Sequence, residues 1–283
     1  MSDIPGGPIP PAPPPPPGTP PGAGGMRPRT LGEILSGAFE IYKDNAAQLI
    51  LIVAVVVVPH SLLGALLGRA LAGSTEETVT VLGQTQTVSS RTFAAVVLGA
   101  IIAAIVGVII SSVLQAALMR AGALATIGDP VDVESSYRWG LKRFGSVILV
   151  GLLVGLAVAV GLLLLFVGAI IFGVFLAVSI PALIIEDRRG TEALKRSWQL
   201  VSGHFWHVLG VVVVAAIITG IVSSILGALG GSNWFVSWIF STIAQIVTAP
   251  FAALVSILLY LDLRARKEAL TADSLRRELS SGT

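Results

Sequence analysis

The chain has 283 residues, of which 54% are hydrophobic and only 12% are charged, and it contains no cysteine. Soluble domains carry about 25% charged residues, so this composition, with a mean hydropathy of +0.88, excludes an ordinary soluble domain, and the missing cysteines exclude disulfides and thiol chemistry. The net charge is only +2, and the distribution of basic residues described below accounts for the pI of about 9.2 without a nucleic-acid partner.

The amino-terminal segment, residues 1–29, is rich in proline and glycine. Such a segment stays extended and solvated because it has little apolar surface to bury. We therefore predict a disordered cytoplasmic tail over 1–29, and a ligand for a proline-binding domain is the less favoured alternative. This segment lacks a basic region followed by an apolar one, so no cleavable signal peptide is indicated.

Long uncharged runs follow this tail, at residues 45–68, 92–119, 144–185 and 197–261. A helix needs about 20 apolar residues to cross a bilayer, so the first two runs fit one crossing each. The third run would be about 63 Å long as a single helix, so we expect it to fold at Val167–Gly168. The fourth is divided by turn residues from Gly230 to Asn233. The sequence thus predicts six spans, near 47–68, 94–118, 146–166, 168–185, 208–229 and 239–261.

The connection between the first two spans, residues 73–91, alternates threonine with valine on both sides of Leu82-Gly83. Alternation of this kind around a turn is typical of a short β-hairpin.

Basic residues indicate how the chain is oriented. Short loops rich in lysine and arginine stay in the cytoplasm. If both termini are cytoplasmic, only Arg69 and Arg91 of the 18 basic residues fall on the outer side. We therefore predict a multi-pass protein of the cytoplasmic (inner) membrane, with a membrane domain over 30–266 and a basic cytoplasmic tail over 267–283.

A segment with apolar residues at helical spacing precedes each pair of predicted spans. The first carries a capping box, Thr30 with Glu33. The three apolar stripes are Leu31, Leu35, Ala38 and Tyr42; Val133, Tyr137, Leu141 and Phe144; and Leu194, Trp198, Val201 and Phe205. The predicted fold class is an all-α integral membrane protein of six transmembrane helices, arranged as three hairpins that are each preceded by a cytoplasmic amphipathic helix, in a threefold internal repeat.

Residues on these amphipathic segments and their loops are candidate contacts for anionic lipid at the inner leaflet. They are Arg138, Lys142, Arg143, Arg188, Arg189, Lys195, Arg196 and Trp198. The alternative is that any helix lying along an interface shows the same pattern.

Polar residues inside the predicted spans form a second candidate site. An ionisable residue within a membrane is by default a functional hypothesis, so His60 is a candidate, with a hydrogen-bonded histidine at a proline kink as the alternative. Gln115 and Gln245 are expected to form hydrogen bonds between helices. His204 and His207 lie three residues apart, but no cysteine or nearby acid completes a metal site. We predict no metal and no cofactor.

Three segments of the chain are the most characteristic: "RPRTLGEILSGAFEIYKDN", "PALIIEDRRGTEALKRSWQLVSGHFW" and "YLDLRARKEAL". They resemble the membrane domain fused to some bacterial glycerophosphodiester phosphodiesterases, and more closely its stand-alone actinobacterial relatives, over roughly Arg27 to Leu270. In that family, catalysis belongs to a separate soluble domain. About 20 residues follow the last span, far fewer than the roughly 250 of a catalytic barrel. The resemblance therefore implies a membrane protein without the phosphodiesterase activity.

No phosphate loop, zinc-protease pattern or activated nucleophile occurs in the sequence. We expect a non-enzymatic membrane protein that organises lipids or partner proteins at the inner leaflet, with anionic membrane lipids and an unidentified membrane protein as its partners. The alternative is a transporter or lipid-translocating protein, which kinks at the intramembrane prolines Pro59, Pro181 and Pro250 would suit. A cavity lined by the intramembrane histidine and glutamines would favour transport, and a solid bundle would favour the organising role.

Overall fold

A computed structural model describes residues 27–72, 78–81, 84–86, 90–163, 167–268 and 270–281. Residues 1–26, most of the predicted tail, lie outside the described residues. The elements in chain order are α1 (Leu31–Asp44), α2 (Ala46–Ala72), β1 (Thr78–Val81), β2 (Gln84–Gln86), α3 (Ser90–Thr126), α4 (Val133–Leu163), α5 (Val167–Phe175), α6 (Ser179–Glu186), α7 (Thr191–Val201), α8 (Phe205–Leu229), α9 (Trp234–Lys267) and α10 (Ala272–Ser281).

Six helical segments are long and apolar enough to cross a membrane, which is the number that the sequence predicts. They are Ala46–Leu66, Ile105–Thr126, Val133–Leu162, Val167–Glu186, Phe205–Leu229 and Trp234–Lys267. Large apolar side chains cover their outer surfaces, for example Leu152 and Leu156 on α4 and Ile217 and Ile221 on α8. Extensive exposed apolar surface marks contact with a membrane or a partner, so these helices fit a multi-pass membrane protein.

The breaks between spans lie close to the predicted positions, although Val167 and Gly168, where a fold is expected, are the first residues of α5. Gly161 of α4 and Gly168 of α5 approach so closely that a Cβ on Gly161 would lie 2.5 Å from the carbonyl carbon of Gly168, and only glycine permits this contact. At the α8–α9 turn, Gly231 has a φ of 58° and the Asn233 side chain accepts hydrogen bonds from the first backbone N–H groups of α9. Strands β1 and β2 pair antiparallel around residues 82–83, where a β-hairpin is expected.

Segments far apart in the sequence meet at one end of the bundle. Their contacts there include Arg29 with Asp262, Arg143 with Asp187 and Arg276 with Asp129. We call this region, formed by residues 27–45, 127–143, 186–207 and 260–281, the charged end. Helix α9 contributes an unbroken run of buried residues, Ile257 to Arg264, to the charged end. These residues are buried because the helix packs against α1, α2, α3 and α8.

Span four is interrupted within its length. Helix α5 ends at Phe175 and α6 begins at Ser179. Pro181 explains the break, because it has no N–H to donate and its ring would clash with the carbonyl of Ala177 four residues earlier. The other two intramembrane prolines lie inside the unbroken helices α2 and α9.

The segments that precede the three pairs of spans differ from one another. The Thr30–Glu33 capping box is confirmed, and Asn45 alone separates α1 from α2. The expected separate helix before the third span is not seen, since α4 runs unbroken from Val133 to Leu163 with no proline to stop it. The predicted stripe from Leu194 to Phe205 is also divided, because Gly203, with a φ of 86°, lies in the turn between α7 and α8.

Within the segment predicted as a basic tail over 267–283, residues 272–281 form a helix. Helix α10 buries Leu275 and Leu279 and packs against α6. The two leucines are four residues apart and lie on one helix face, so the segment has the apolar surface that a packed helix needs.

Candidate functional site

A buried carboxylate, Glu186, lies at the centre of the charged end. Its side chain is 8% exposed, and the residue is the last of α6. Arg196 of α7 donates from Nε to Oε1 across 2.8 Å, and the Tyr260 hydroxyl of α9 donates to the same oxygen. Arg188 donates to Oε2 across 2.9 Å, and Nε of Arg264 lies 3.5 Å from Oε1. A carboxylate with this many donors remains ionised, because its charge is compensated on several sides.

The same arginines continue the network to the carboxyl terminus. Arg196 and Arg264 both pair with Glu268, and Arg264 forms a two-pronged pair with Glu278 of α10 at 2.6 and 3.0 Å. Burial alone would raise the pKa of Glu268, but the hydrogen bonds from the two arginines lower it below its ordinary value. These contacts, the Glu186 network, fasten α6, α7, α9 and α10 to one another.

A second buried acid, Asp262, joins the amino-terminal segment to the same end of α9. Its side chain is 0% exposed. One oxygen accepts the backbone N–H of Arg29, and the other lies 3.0 Å from Nε2 of His207 and accepts from Nε of Arg266 across 2.9 Å. Arg266 also donates to the backbone carbonyl of Arg29 across 2.6 Å. This Asp262 network therefore fixes the entry of α1 and the beginning of α8 against α9.

Helix α7 is seated on the break in span four. The Ser197 hydroxyl donates to the Phe175 carbonyl across 2.7 Å and accepts from the Val178 N–H across 3.3 Å. It thereby satisfies two backbone groups that the break removes from the helical pattern. Beside it, the Trp198 ring stacks on Phe175 with ring centroids 4.0 Å apart. The buried face of α7 is thus Ala193, Ser197, Leu200 and Val201, adjacent to the larger apolar stripe that the sequence indicates.

The predicted lipid contacts divide into exposed and internal side chains. Arg138, Lys142, Arg188, Arg189, Lys195 and Trp198 are exposed. Arg143 and Arg196 are turned inward, with side chains only 11% and 14% exposed, because Asp187 pairs with the first and Glu186 with the second. The sequence pattern could not separate these two groups, since their acidic partners come from other helices.

The three residues of the predicted intramembrane polar site lie on three different helices. His60 is half-buried on α2 and faces α3, where a Cβ on Gly107 would lie 3.6 Å from its ring. Gln115 on α3 and Gln245 on α9 are exposed on the surface of the bundle. None of the three lines either of the two cavities described below. Hydrogen bonding by the two glutamines between helices stays a prediction.

Several residues of the two networks were not singled out by sequence reasoning. Tyr260, Arg264 and Glu268 follow one another at intervals of four, and so do Asp262 and Arg266. Such spacing puts each set on one face of a helix, which was the available signal for a polar face on α9. Ser197 had no such signal, since a lone serine on a helix is usually unremarkable.

The histidines do not form a metal centre among the described residues. His207 is bonded to Asp262, and the part of the chain that the structure describes holds no group of three or more histidine, cysteine, aspartate or glutamate side chains that could bind a metal ion.

Comparison with known proteins gives one match. A family model described as "Domain of unknown function (DUF7847)" matches residues 30–262. No curated protein and no solved structure matches the chain. The matched range runs from the cap of α1 to Asp262, so it covers five spans and most of the sixth, together with both buried acids, Glu186 and Asp262.

Proposed function

The chain belongs to the DUF7847 family, and from that premise we propose that it is a non-enzymatic multi-pass protein of the cytoplasmic membrane that organises lipids or partner proteins at the inner leaflet. One observation carries the proposal: exposed indole rings and exposed basic side chains occur together at the charged end. Trp198 is 41% and Trp206 is 80% exposed, and Lys195 lies on the same helix as Trp198. Tryptophan favours the membrane interface, and each basic residue near an anionic surface contributes about 1 kcal/mol.

The seat of α7 supports this placement. The helix contacts span four at Phe175 and Val178, and α6, which has 8 residues and ends at Glu186, leads from this contact to the charged carboxylate. Eight helical residues extend about 12 Å. Trp198 therefore lies on the apolar side of the Glu186 network, which suits a helix seated in the interface rather than one projecting into water.

The distribution of basic residues supports a cytoplasmic charged end. Only Arg69 and Arg91 of the 18 basic residues belong to the opposite side of the predicted topology. Because basic residues in short loops remain in the cytoplasm, both termini are cytoplasmic in the proposal, and the anionic lipid of the inner leaflet is the partner of the exposed bases.

A threefold repeat of helical hairpins is part of the proposal. Neighbouring spans pack together as α2 with α3, α4 with α5, and α8 with α9. The preceding segment is a separate helix in the first and last unit and the first part of α4 in the middle one. Unequal linkers of this kind are compatible with one ancestral unit that was copied and then diverged.

Kinship to the membrane domain of bacterial glycerophosphodiester phosphodiesterases is also proposed. The three segments that carry the resemblance contribute Arg29, Glu186, Arg196 and Asp262 to the two networks. Their convergence at one end of the fold supports a shared structural purpose for these segments, namely holding the charged end together.

The alternative of a transporter receives less support. A cavity lined by His60, Gln115 and Gln245 would favour transport, and the two cavities of about 350 and 420 Å³ are lined by other residues. The larger one, of about 420 Å³, is apolar and opens between α1, α8 and α9, which suits an acyl chain more than a polar solute.

Lipid copurification tests the proposal. The full-length chain is purified in a mild detergent, and its bound phospholipids are quantified by mass spectrometry against those of the source membrane. We expect anionic lipid to be enriched, and the Arg188→Gln/Arg189→Gln/Lys195→Gln variant to lose that enrichment. The matched control, Arg69→Gln/Arg91→Gln, removes bases from the predicted outer side and should retain it. A bound lipid composition equal to that of the membrane would contradict the proposal.

A further inference from the structure

A cavity of about 350 Å³ opens at the charged end between the last turns of α3 and the first turns of α4. Arg120 lies at its inner wall, Trp139 beside it, and Ser135 and Lys142 also line it. The sequence patterns single out neither Arg120 nor this cavity, and the two polar networks on α9 do not include them.

Arg120 carries a buried positive charge that the described residues leave uncompensated. The residue is only 9% exposed, and its Nε and Nη1 have no hydrogen-bond partner in the described part of the chain. Burial of an ionised group is unfavourable unless an opposite charge or hydrogen bonds compensate it. A buried guanidinium at a cavity wall therefore favours an anionic ligand.

The immediate surroundings of Arg120 further favour an anionic ligand. Its Cζ lies 5.1 Å from the centroid of the Trp139 ring, and the Cζ of Arg143 lies 4.9 Å from the same ring. The indole stabilises each cation through its π face, but the two guanidinium groups repel each other. Asp187 pairs with Arg143, so the anion that this arrangement lacks belongs beside Arg120.

The acids that line the cavity are already engaged. Asp132 accepts the Ser135 N–H across 2.7 Å and caps α4, and Glu134 pairs with Arg138 across 2.5 Å. Lys142 remains as an exposed cation at the mouth. The first turn of α4 adds the positive end of a helix dipole.

We propose that this cavity binds a phosphate group, with Arg120 as its buried anchor and Lys142 as a second contact at the mouth. A guanidinium offers several donors in one plane and matches the oxygens of phosphate. The phosphate has two sources, the headgroup of a membrane phospholipid or the free anion in solution. Exposed Leu141 and Phe144 lie next to Lys142 on α4 and favour the headgroup, because they are suited to acyl chains. The choice of source rests on the proposed inner-leaflet placement, but phosphate binding itself does not.

Fluorescence titration of the full-length chain tests the inference. The chain has 5 tryptophans, so changing the other four to phenylalanine leaves Trp139 as the only reporter, in contact with Arg120. In phosphate-free detergent, the protein is titrated with dioctanoyl phosphatidic acid, with dioctanoylglycerol as the matched lipid that lacks phosphate, and with inorganic phosphate. We expect a saturable change with dioctanoyl phosphatidic acid and none with dioctanoylglycerol. Saturation by inorganic phosphate at the same concentrations would identify the free anion as the source, and a response to the phospholipid alone would identify the headgroup.

Variants distinguish binding in the cavity from nonspecific electrostatic attraction of the ligand to the protein surface. Arg120→Gln should weaken binding at least about tenfold, since a charged hydrogen bond is lost. Lys142→Gln should weaken it several-fold, and because Lys142 is exposed this variant serves if Arg120→Gln does not fold. Lys43→Gln, which removes an exposed base of α1 outside the cavity, should bind as the parent protein does. The inference is overturned if neither phosphate ligand gives a saturable response, or if folded Arg120→Gln binds with unchanged affinity. The proposed function would still stand in that case if anionic lipid remained enriched in the copurification experiment.

Discussion

The Ser197 hydroxyl donates a hydrogen bond to the Phe175 carbonyl across 2.7 Å and so joins α7 to the interrupted fourth span. The same hydroxyl accepts from the Val178 N–H. A break in a transmembrane helix is tolerated when other groups satisfy the freed backbone atoms, and here one side chain supplies both hydrogen bonds.

Ser197→Ala should destabilise the protein, because it leaves a buried carbonyl and a buried N–H without these partners. The expected loss is about 1–3 kcal/mol, measured as a lower melting temperature or an earlier denaturant midpoint in detergent. Ser202→Ala is the matched control, since the Ser202 hydroxyl donates to the Trp198 carbonyl one turn back in its own segment. Equal effects of the two substitutions would contradict the assigned role of Ser197.

Glu186→Gln should be among the most damaging single substitutions at the charged end. It removes the negative charge that Arg196 and Arg264 share, and removing one partner of a buried pair costs about 3–5 kcal/mol. Tyr260→Phe removes only one hydrogen bond to the carboxylate and should cost about 1 kcal/mol. Chemical denaturation of the two variants beside Glu192→Gln, which alters an exposed acid on α7, measures these differences. A Glu186→Gln protein as stable as Glu192→Gln would show that the network is dispensable.

Stability should depend on the ionisation of Glu268. Its pKa is lower than the ordinary value of 4.5: burial alone would raise it, but the hydrogen bonds from Arg196 and Arg264 outweigh burial. A lowered folded-state pKa stabilises the protein above the unfolded value, and this contribution is lost as the pH falls through the folded value. Glu268→Gln should therefore melt below the parent at pH 7, and the two melting temperatures should converge as the pH falls below 4.5. A constant difference across this range would assign the effect to packing.

Topology can be tested directly, because the chain has no native cysteine. A single cysteine at Ser232, in the α8–α9 turn, should react with a membrane-impermeant maleimide added to intact cells. Cysteines at Glu192 and Asp273, both exposed, should react only after the membrane is opened. Labelling of Glu192→Cys from outside would invert the proposed orientation of the charged end.

The seat of α7 should be sensitive to charge on one face only. Trp198→Glu places a carboxylate where an aromatic ring stacks on Phe175, whereas Gln199→Glu places one on the exposed face. The first change should disrupt the seat far more than the second, although both add one negative charge. Quenching of Trp198 as the only tryptophan, by lipids that carry quenchers at known depths, measures the position. Strong quenching by an aqueous quencher, with none by lipid, would contradict an interfacial seat.

Local sequence features predicted the parts of the fold that depend on neighbours in the chain. Uncharged runs gave the six spans, Thr30 with Glu33 gave the cap of α1, and the glycines before Asn233 gave the last turn. Features that depend on distant partners were missed. Arg196 looks the same in sequence whether it faces lipid or Glu186, and the sequence does not reveal that Ser197 lies opposite a break caused by Pro181. The buried face of α7 also carries small residues, because close helix packing favours them over the larger stripe that hydropathy indicates.

The pairing of Arg264 with Glu278 has a consequence for biosynthesis. Glu186 enters the membrane region long before its arginine on α9 is translated, and that arginine in turn awaits α10, the last helix described. A chain that stops short of α10 lacks Glu278, so Arg264 keeps its contacts with Glu186 and Glu268 but loses its two-pronged pair. The charged end is therefore completed only after α10 has been translated, although Glu186 and Arg264 lie earlier in the chain.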